Sequence, residues 1–262
     1  MKIVVFDLDE TLGYFTEYGI FWDSLNKFVQ IKNKKELTQE VFNDILDLFP
    51  EFIRPNIINI LIYLKNKKQS KCCQKMMIYT NNQGPIEWSN YIISYFENKI
   101  KFKLIDQIVA AFKVNGKRVE ICRTSHNKSH KDFIKCTKIP ENAEICFIDD
   151  SFYPEMTNDN IYYINIKPYY YDLKFEYMLT KFKESEIGKK IVENDNDFDE
   201  IMIAEIKRYK YSIIDKDLKE YEIDKILGKQ IITHLQDFFY KNKTKTVSKR
   251  SLKNKTKRNY KN

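Results

Sequence analysis

No apolar stretch in this chain approaches the roughly 20 uncharged residues that a membrane-spanning helix requires. The longest hydrophobic runs are short and broken by charge. The N-terminal segment MKIVVFDLDE turns acidic at Asp7, too early for the uncharged stretch of a secretory signal. These absences point to a cytoplasmic or nuclear protein that is neither secreted nor membrane-bound. The five cysteines are odd in number and form no CxxC pair, which argues against a disulfide framework or a zinc site and for reduced thiols. His126 and His130 have no cysteine or third histidine placed to complete a metal site. No internal repeat is present, so a solenoid is excluded.

The net charge of +8 is localised. Residues 241–262 hold ten Lys or Arg and no acidic residue, which leaves −2 for residues 1–240. The fold itself is therefore near neutral, and the last 22 residues read as a disordered basic tail. Such a tail can make weak nucleic-acid contact by counterion release. Its single aromatic, Tyr260, does not make a stacking platform. Hydrophobic residues at 43% are enough for a real core in the remainder.

Four short apolar, β-branched or aromatic runs read as buried strands: 2–8, 75–80, 143–148 and 161–166. Residues 105–112 are a further strand candidate, and Val114-Asn115-Gly116-Lys117 has hairpin-turn chemistry. Helical spacing lies between them: Phe21, Leu25 and Phe28; Val41, Ile45 and Leu48 behind a Thr38 N-cap; Ile57, Ile60, Leu61 and Leu64; and Trp88, Ile92, Ile93 and Phe96. A helix is also expected over 129–136. Strands alternating with helices predict an α/β fold with a mostly parallel, Rossmann-like sheet. Residues 1–170 would form its core, with a small helical insertion at 14–50. Residues 171–240 would be an amphipathic helical extension.

Ligands in such folds bind beyond the carboxyl ends of the strands. Three predicted strands deliver polar residues there: Asp7 and Asp9, Thr80, and Asp149 with Asp150. Paired carboxylates on one edge suit a hard cation such as Mg²⁺. A carboxylate can also act as a covalent nucleophile once its charge is offset.

Asp7-Leu8-Asp9-Glu10-Thr11-Leu12 resembles the DxDxT signature of haloacid dehalogenase (HAD) superfamily phosphatases. The form DLDETL is similar to the small C-terminal-domain phosphatase, or NLI-interacting-factor-like, branch. Arg54-Pro55 resembles the helix start of that branch, although Pro at a first helical position needs no chemistry. Met77-Ile78-Tyr79-Thr80 resembles the second motif, Lys131-Asp132-Phe133 the third and Ile148-Asp149-Asp150-Ser151 the fourth, in the right order over residues 1–170. The resemblance implies a Mg²⁺-dependent phosphatase with Asp7 as nucleophile and Asp9 as general acid and base. It makes Asp7, Asp9, Asp149 and Asp150 the metal set, with Asp9 acting through its carbonyl and Asp149 through water. Thr11, Thr80, Asn81 and Lys131 form the phosphate-binding set, Thr11 also orienting the Asp9 region.

Three departures stand out. Asp150 occupies a position usually held by Asn. Lys131 lies 18 residues before Asp149, a long spacing that makes Lys128 a rival. Thr80-Asn81-Asn82-Gln83-Gly84 is more similar to an element of polynucleotide 3′-phosphatases and histidinol-phosphate phosphatases. Asn82 and Gln83 could touch substrate or cap the next helix. The substrate expected is a phosphorylated macromolecule, either phosphoserine or phosphothreonine in a protein or a polynucleotide 3′-phosphate. A catalytically weak HAD-like scaffold is the non-enzymatic alternative. The AT-rich residue usage and basic tail also resemble HAD-like proteins of large DNA viruses.

Overall fold

The computed structural model describes residues 1–214 and 216–240, so the expected basic tail at 241–262 lies outside the described residues. A five-stranded parallel sheet is built from β1 (Lys2–Phe6), β2 (Lys75–Tyr79), β3 (Gln107–Val109), β6 (Glu144–Asp149) and β7 (Ile161–Asn165). The order is β3-β2-β1-β6-β7, with every pair parallel. The α/β expectation is met.

Alternation along β1 explains its apolar composition. Val4 and Phe6 enter one buried cluster, while Ile3 and Val5 enter another on the opposite face. A strand covered on both faces has no polar side to show. β1 is central; β2 and β3 are added on one side of it, and the chain then crosses over to add β6 and β7 on the other. The crevice at its carboxyl end is thus the topological switch point of the sheet.

Helices α1 (Thr16–Ile31), α2 (Gln39–Leu48) and α3 (Ile57–Gln69) lie between β1 and β2. Thr38 caps α2, its hydroxyl accepting from the Val41 N–H. Helix α4 (Ile86–Ile100) follows β2, and α5 (His130–Thr137) precedes β6. The expected hairpin is present as β4 (Lys113–Val114) and β5 (Lys117–Arg118), with Asn115 at φ 49° and Gly116 at φ 75°. Positive φ at both central residues is the type I′ geometry for which Asn-Gly is suited.

Residues 171–240 carry α6 (Phe175–Glu184), α7 (Glu186–Val192), α8 (Phe198–Arg208) and α9 (Leu218–Tyr240). They share the main core rather than forming a separate unit. Phe182 meets Phe21 at 5.6 Å between ring centroids, and Phe198 meets Phe28 at 4.9 Å. Helix α9 meets the turn that leads into α3 at Gly228, where a Cβ would fall 2.3 Å from the Pro55 carbonyl oxygen. Any larger residue would push the helix away. The expected insertion at 14–50 and the extension therefore pack together on one face of the sheet. No described helix is long and apolar enough to cross a membrane.

The cysteine expectation needs correction. Cys122 and Cys136 form a disulfide that joins the segment after β5 to α5, while Cys72, Cys73 and Cys146 are free. The two cysteines are 14 residues apart, and only the folding of α5 back onto that segment brings them together.

Candidate active site

The chain passes from β1 into a tight loop. Asp7 continues the ladder through its N–H to the Ile148 carbonyl, at 2.9 Å. Glu10 then turns at φ 57°, and its N–H reaches the Gly13 carbonyl. Gly13 is required by close approach, since a Cβ there would lie 2.5 Å from the Phe52 carbonyl oxygen. Arg54, only 1% exposed, fastens this loop from below. Its guanidinium donates to the carbonyls of Thr11 (2.7 Å), Glu10 and Lys167 (2.8 Å). The Arg-Pro pair to which the sequence assigns no chemistry thus holds the carbonyls of the acidic loop, with Pro55 only leading into α3.

Asp7, Asp149 and Asp150 converge at the ends of β1 and β6, each offering a carboxylate oxygen within 4.8 Å of the others. Asp149 is fully buried, whereas Asp7 keeps 7% exposure. Lys128 projects between them. Its Nζ lies 2.6 Å from Asp7 Oδ1 and 2.6 Å from Asp149 Oδ2. Burial lowers the lysine pKa, but the two carboxylates outweigh that and hold it charged. Burial pushes Asp149 up to about 7 against the pull of Lys128. Asp150 is raised by burial and then by Asp7, while the Thr11 hydroxyl donating at 3.1 Å opposes the shift.

Asp9 lies at the other side of the loop. Its Oδ2 accepts from Asn82 Nδ2 at 2.7 Å, and Asn82 Oδ1 accepts from the Gly84 N–H at 2.8 Å, which fixes the amide orientation. Burial raises Asp9 to about 7, with Asn82 opposing and Asp7 adding to the shift. A carboxyl near this value can give and take a proton at neutral pH.

The expected phosphate-binding set is only partly assembled. Thr80, at the end of β2, is buried, and its Oγ1 accepts from the Asn82 N–H at 3.0 Å. Among the described residues its hydroxyl proton has no acceptor. Lys131 is not at the site. It is exposed on α5 and lines a separate depression with Glu141, Asn158 and Asn160. The register of α5 is the reason. Ser129 is its N-cap, accepting from the Asp132 N–H, so Asp132 and Phe133 turn inward and Lys131 outward. Lys128, just ahead of the cap, is the lysine delivered to the carboxylates.

Thr11 and Asn81 also differ from expectation. The Thr11 hydroxyl goes to Asp150, so it braces a carboxylate. Asn81 uses Oδ1 to accept from Arg123 Nη2 at 2.7 Å and Nδ2 to donate to the Tyr153 hydroxyl at 3.0 Å. Arg123 has no counterpart in the sequence reading. It is fully buried, and its Nη1 donates to the carbonyls of Thr80 and Ala110, both at 2.9 Å. Its Nη2 also reaches the His126 carbonyl at 3.0 Å. One side chain thus ties the Thr80–Asn81 turn to the segment carrying Lys128. Nothing in the sequence around it marks it, because its partners are mostly backbone carbonyls, and Thr80 and Asn81 lie 43 and 42 residues away.

The residues present suit a divalent cation. Asp7, Asp149 and Asp150 come together and Lys128 pairs with two of them, so among the described residues the cluster has more acidic than basic groups, and its donors are hard oxygens. No family model, no curated protein and no solved structure matches this chain.

Proposed function

We propose that this protein is a Mg²⁺-dependent phosphomonoester hydrolase of the HAD type, working through an aspartyl-phosphate on Asp7. The observation that supports the reading most directly is the charge imbalance at the switch point: Asp7, Asp149 and Asp150 converge, and among the described residues Lys128, paired with Asp7 and Asp149, is the lysine that meets them. Mg²⁺, held by Asp7, Asp150 and the Asp9 carbonyl with Asp149 behind, would supply the missing positive charge and let a carboxylate approach a dianionic phosphate.

In this reading an Asp7 oxygen attacks phosphorus in line, and the P–O bond to the leaving group breaks. Asp9, protonated near neutrality by its burial, gives its proton to the leaving oxygen. Asn82 holds that carboxyl in place. Thr80 donates its hydroxyl to a phosphoryl oxygen, and Lys128 neutralises the charge that gathers on the transferring group. The Asp9 carboxylate then takes a proton from water, which attacks the acyl phosphate at phosphorus. Inorganic phosphate leaves, and Asp7 is regenerated.

The test is hydrolysis of an aryl phosphate by the purified protein with Mg²⁺, with EDTA and in Asp7→Asn. The expected result is turnover that requires Mg²⁺ and disappears in the variant. Loss of activity in neither EDTA nor Asp7→Asn, or no turnover on any phosphomonoester, would overturn the reading and leave a scaffold built on the same fold.

A further inference from the structure

Asn82, the partner of Asp9, is also part of the wall of an open cavity of about 630 Å³. The cavity lies between α1, α4 and the segment following α8. Its walls include Trp22, Trp88, Tyr91 and Tyr209, and its charged lining residues are Asp23 and Glu87. Among the described residues no lysine or arginine lines it.

Trp22, Trp88 and Tyr91 are packed into the core, while Tyr209 closes the exposed side. Trp22 meets Tyr91 at 5.7 Å, and Tyr91 stacks on Phe42 at 5.1 Å. Trp88 packs on Phe42 at 5.6 Å and Tyr18 at 6.0 Å. Gly19 makes room for it, since a Cβ there would lie 3.3 Å from Trp88 Cζ2, tighter than ordinary packing. Tyr209 donates its hydroxyl to Asp23 Oδ2 at 3.3 Å, holding one carboxylate at the rim.

We propose that this cavity receives the leaving group of the substrate and that it selects an organic cation. The proposal rests on the phosphatase reading for the position of the leaving group, which must lie on the side of Asp9 that protonates it. The choice of ligand rests on the cavity itself. Indole and phenol faces attract an ammonium or guanidinium group through their quadrupoles, and desolvation strengthens that attraction. Asp23 and Glu87 add a matching charge. A polynucleotide would bring further phosphates beside two carboxylates with no lysine or arginine among the described lining residues to offset them, which is unfavourable. The cation could sit on a small amino-alcohol phosphate or on a basic side chain next to a phosphoserine, and the chemistry of recognition is the same.

The chain has two tryptophans, and both line this cavity. Intrinsic fluorescence therefore reports on it without any catalytic turnover. Titration with choline is expected to give a saturable change, at least tenfold weaker with the neutral isostere 3,3-dimethylbutanol. Asp23→Asn combined with Glu87→Gln is expected to remove that difference; both residues are exposed, so the fold should survive. In hydrolysis, kcat/KM for choline phosphate should exceed that for 3,3-dimethylbutyl phosphate by about tenfold. Phosphoserine peptides with lysine or norleucine beside the phosphoresidue identify a peptide source if they show the larger lysine preference. Equal fluorescence responses to choline and its neutral isostere would overturn the cation proposal. So would a better kcat/KM for a 3′-phosphorylated oligonucleotide. Charge-selective fluorescence without hydrolysis of any phosphomonoester would refute the phosphatase reading instead and leave the cation site standing.

Discussion

Lys128 Nζ lies 2.6 Å from Asp7 Oδ1, with the lysine side chain 1% exposed and the aspartate 10%. The pair sets the electrostatics of the crevice, because the lysine is shared with Asp149. Truncating Lys128 leaves two carboxylates facing each other in a dry site. Lys128→Ala is expected to cost about 3–5 kcal/mol of stability. It should also reduce kcat/KM on an aryl phosphate by roughly a hundredfold or more, the scale of losing one preorganised electrostatic contact. Lys131→Ala should be near neutral in both respects. Parallel denaturant curves and kinetics on the two variants decide which lysine belongs to the site; a severe loss in Lys131→Ala would reverse the assignment.

Arg123 positions the Thr80–Asn81 turn without being placed among the carboxylates. Arg123→Lys keeps the charge but cannot span the Thr80, Ala110, Asn81 and His126 acceptors at once. It is expected to destabilise the fold by about 2–4 kcal/mol, as loss of buried charge-assisted hydrogen bonds does. Hydrolysis measured well below its melting temperature should fall chiefly in kcat, since Thr80 would no longer be held for the transferring group. An unchanged kcat in a destabilised variant would make Arg123 a stability residue alone.

Glu17 is fully buried on α1. Its Oε2 accepts from the Leu173 N–H at 2.7 Å, and its Oε1 has no hydrogen-bond partner among the described residues. Burial raises its pKa from 4.5 to about 8, with the Leu173 hydrogen bond opposing. Between these values the native state holds a proton that the unfolded chain has released. Stability linked to Glu17 is therefore complete below about pH 4.5 and is lost as pH rises towards 8. The slope is about 1.4 kcal/mol per pH unit, or up to about 3 kcal/mol by pH 7. Glu17→Gln should flatten this dependence and match the parent protein only at the acid end. Identical pH–stability curves for the two proteins would rule the linkage out.

The Cys122–Cys136 bridge encloses both Arg123 and Lys128. Reduction should destabilise the protein by about 3 kcal/mol, the chain-entropy value for a loop of this length. Urea unfolding with and without dithiothreitol measures this directly. Cys136→Ser should reproduce the reduced midpoint. A midpoint insensitive to both changes would show that the enclosed segment is held without the bridge by Arg123 and by Asp132, whose Oδ2 accepts from the Thr124 N–H at 2.7 Å and from its hydroxyl at 2.9 Å.

The strands and the acidic loop were legible because their signals are local. Lys2–Phe6 must be apolar on both faces, and Asp7 and Asp9 follow immediately, so position along the chain sets position at the strand end. The same holds for Thr80 after β2, for Asp149 and Asp150 at the end of β6, and for the Asn115-Gly116 turn. Lys128 and Lys131 were not separable in this way. Both precede or begin one short helix, and only the capping register at Ser129 decides which of them turns inward.

The sequence by itself determined the α/β class and the placing of carboxylates on one edge, since two-residue and 3.6-residue periodicities act over neighbouring residues. Tertiary structure alone decided the rest. It chose Lys128, brought Arg54 and Arg123 to backbone carbonyls far away in sequence, and joined Cys122 to Cys136. It also folded residues 171–240 into the main core and opened an aromatic cavity beside Asp9. Each of these depends on contacts between segments remote in the chain, and their energy comes from burial and from pairing groups taken out of water, for which no local pattern exists.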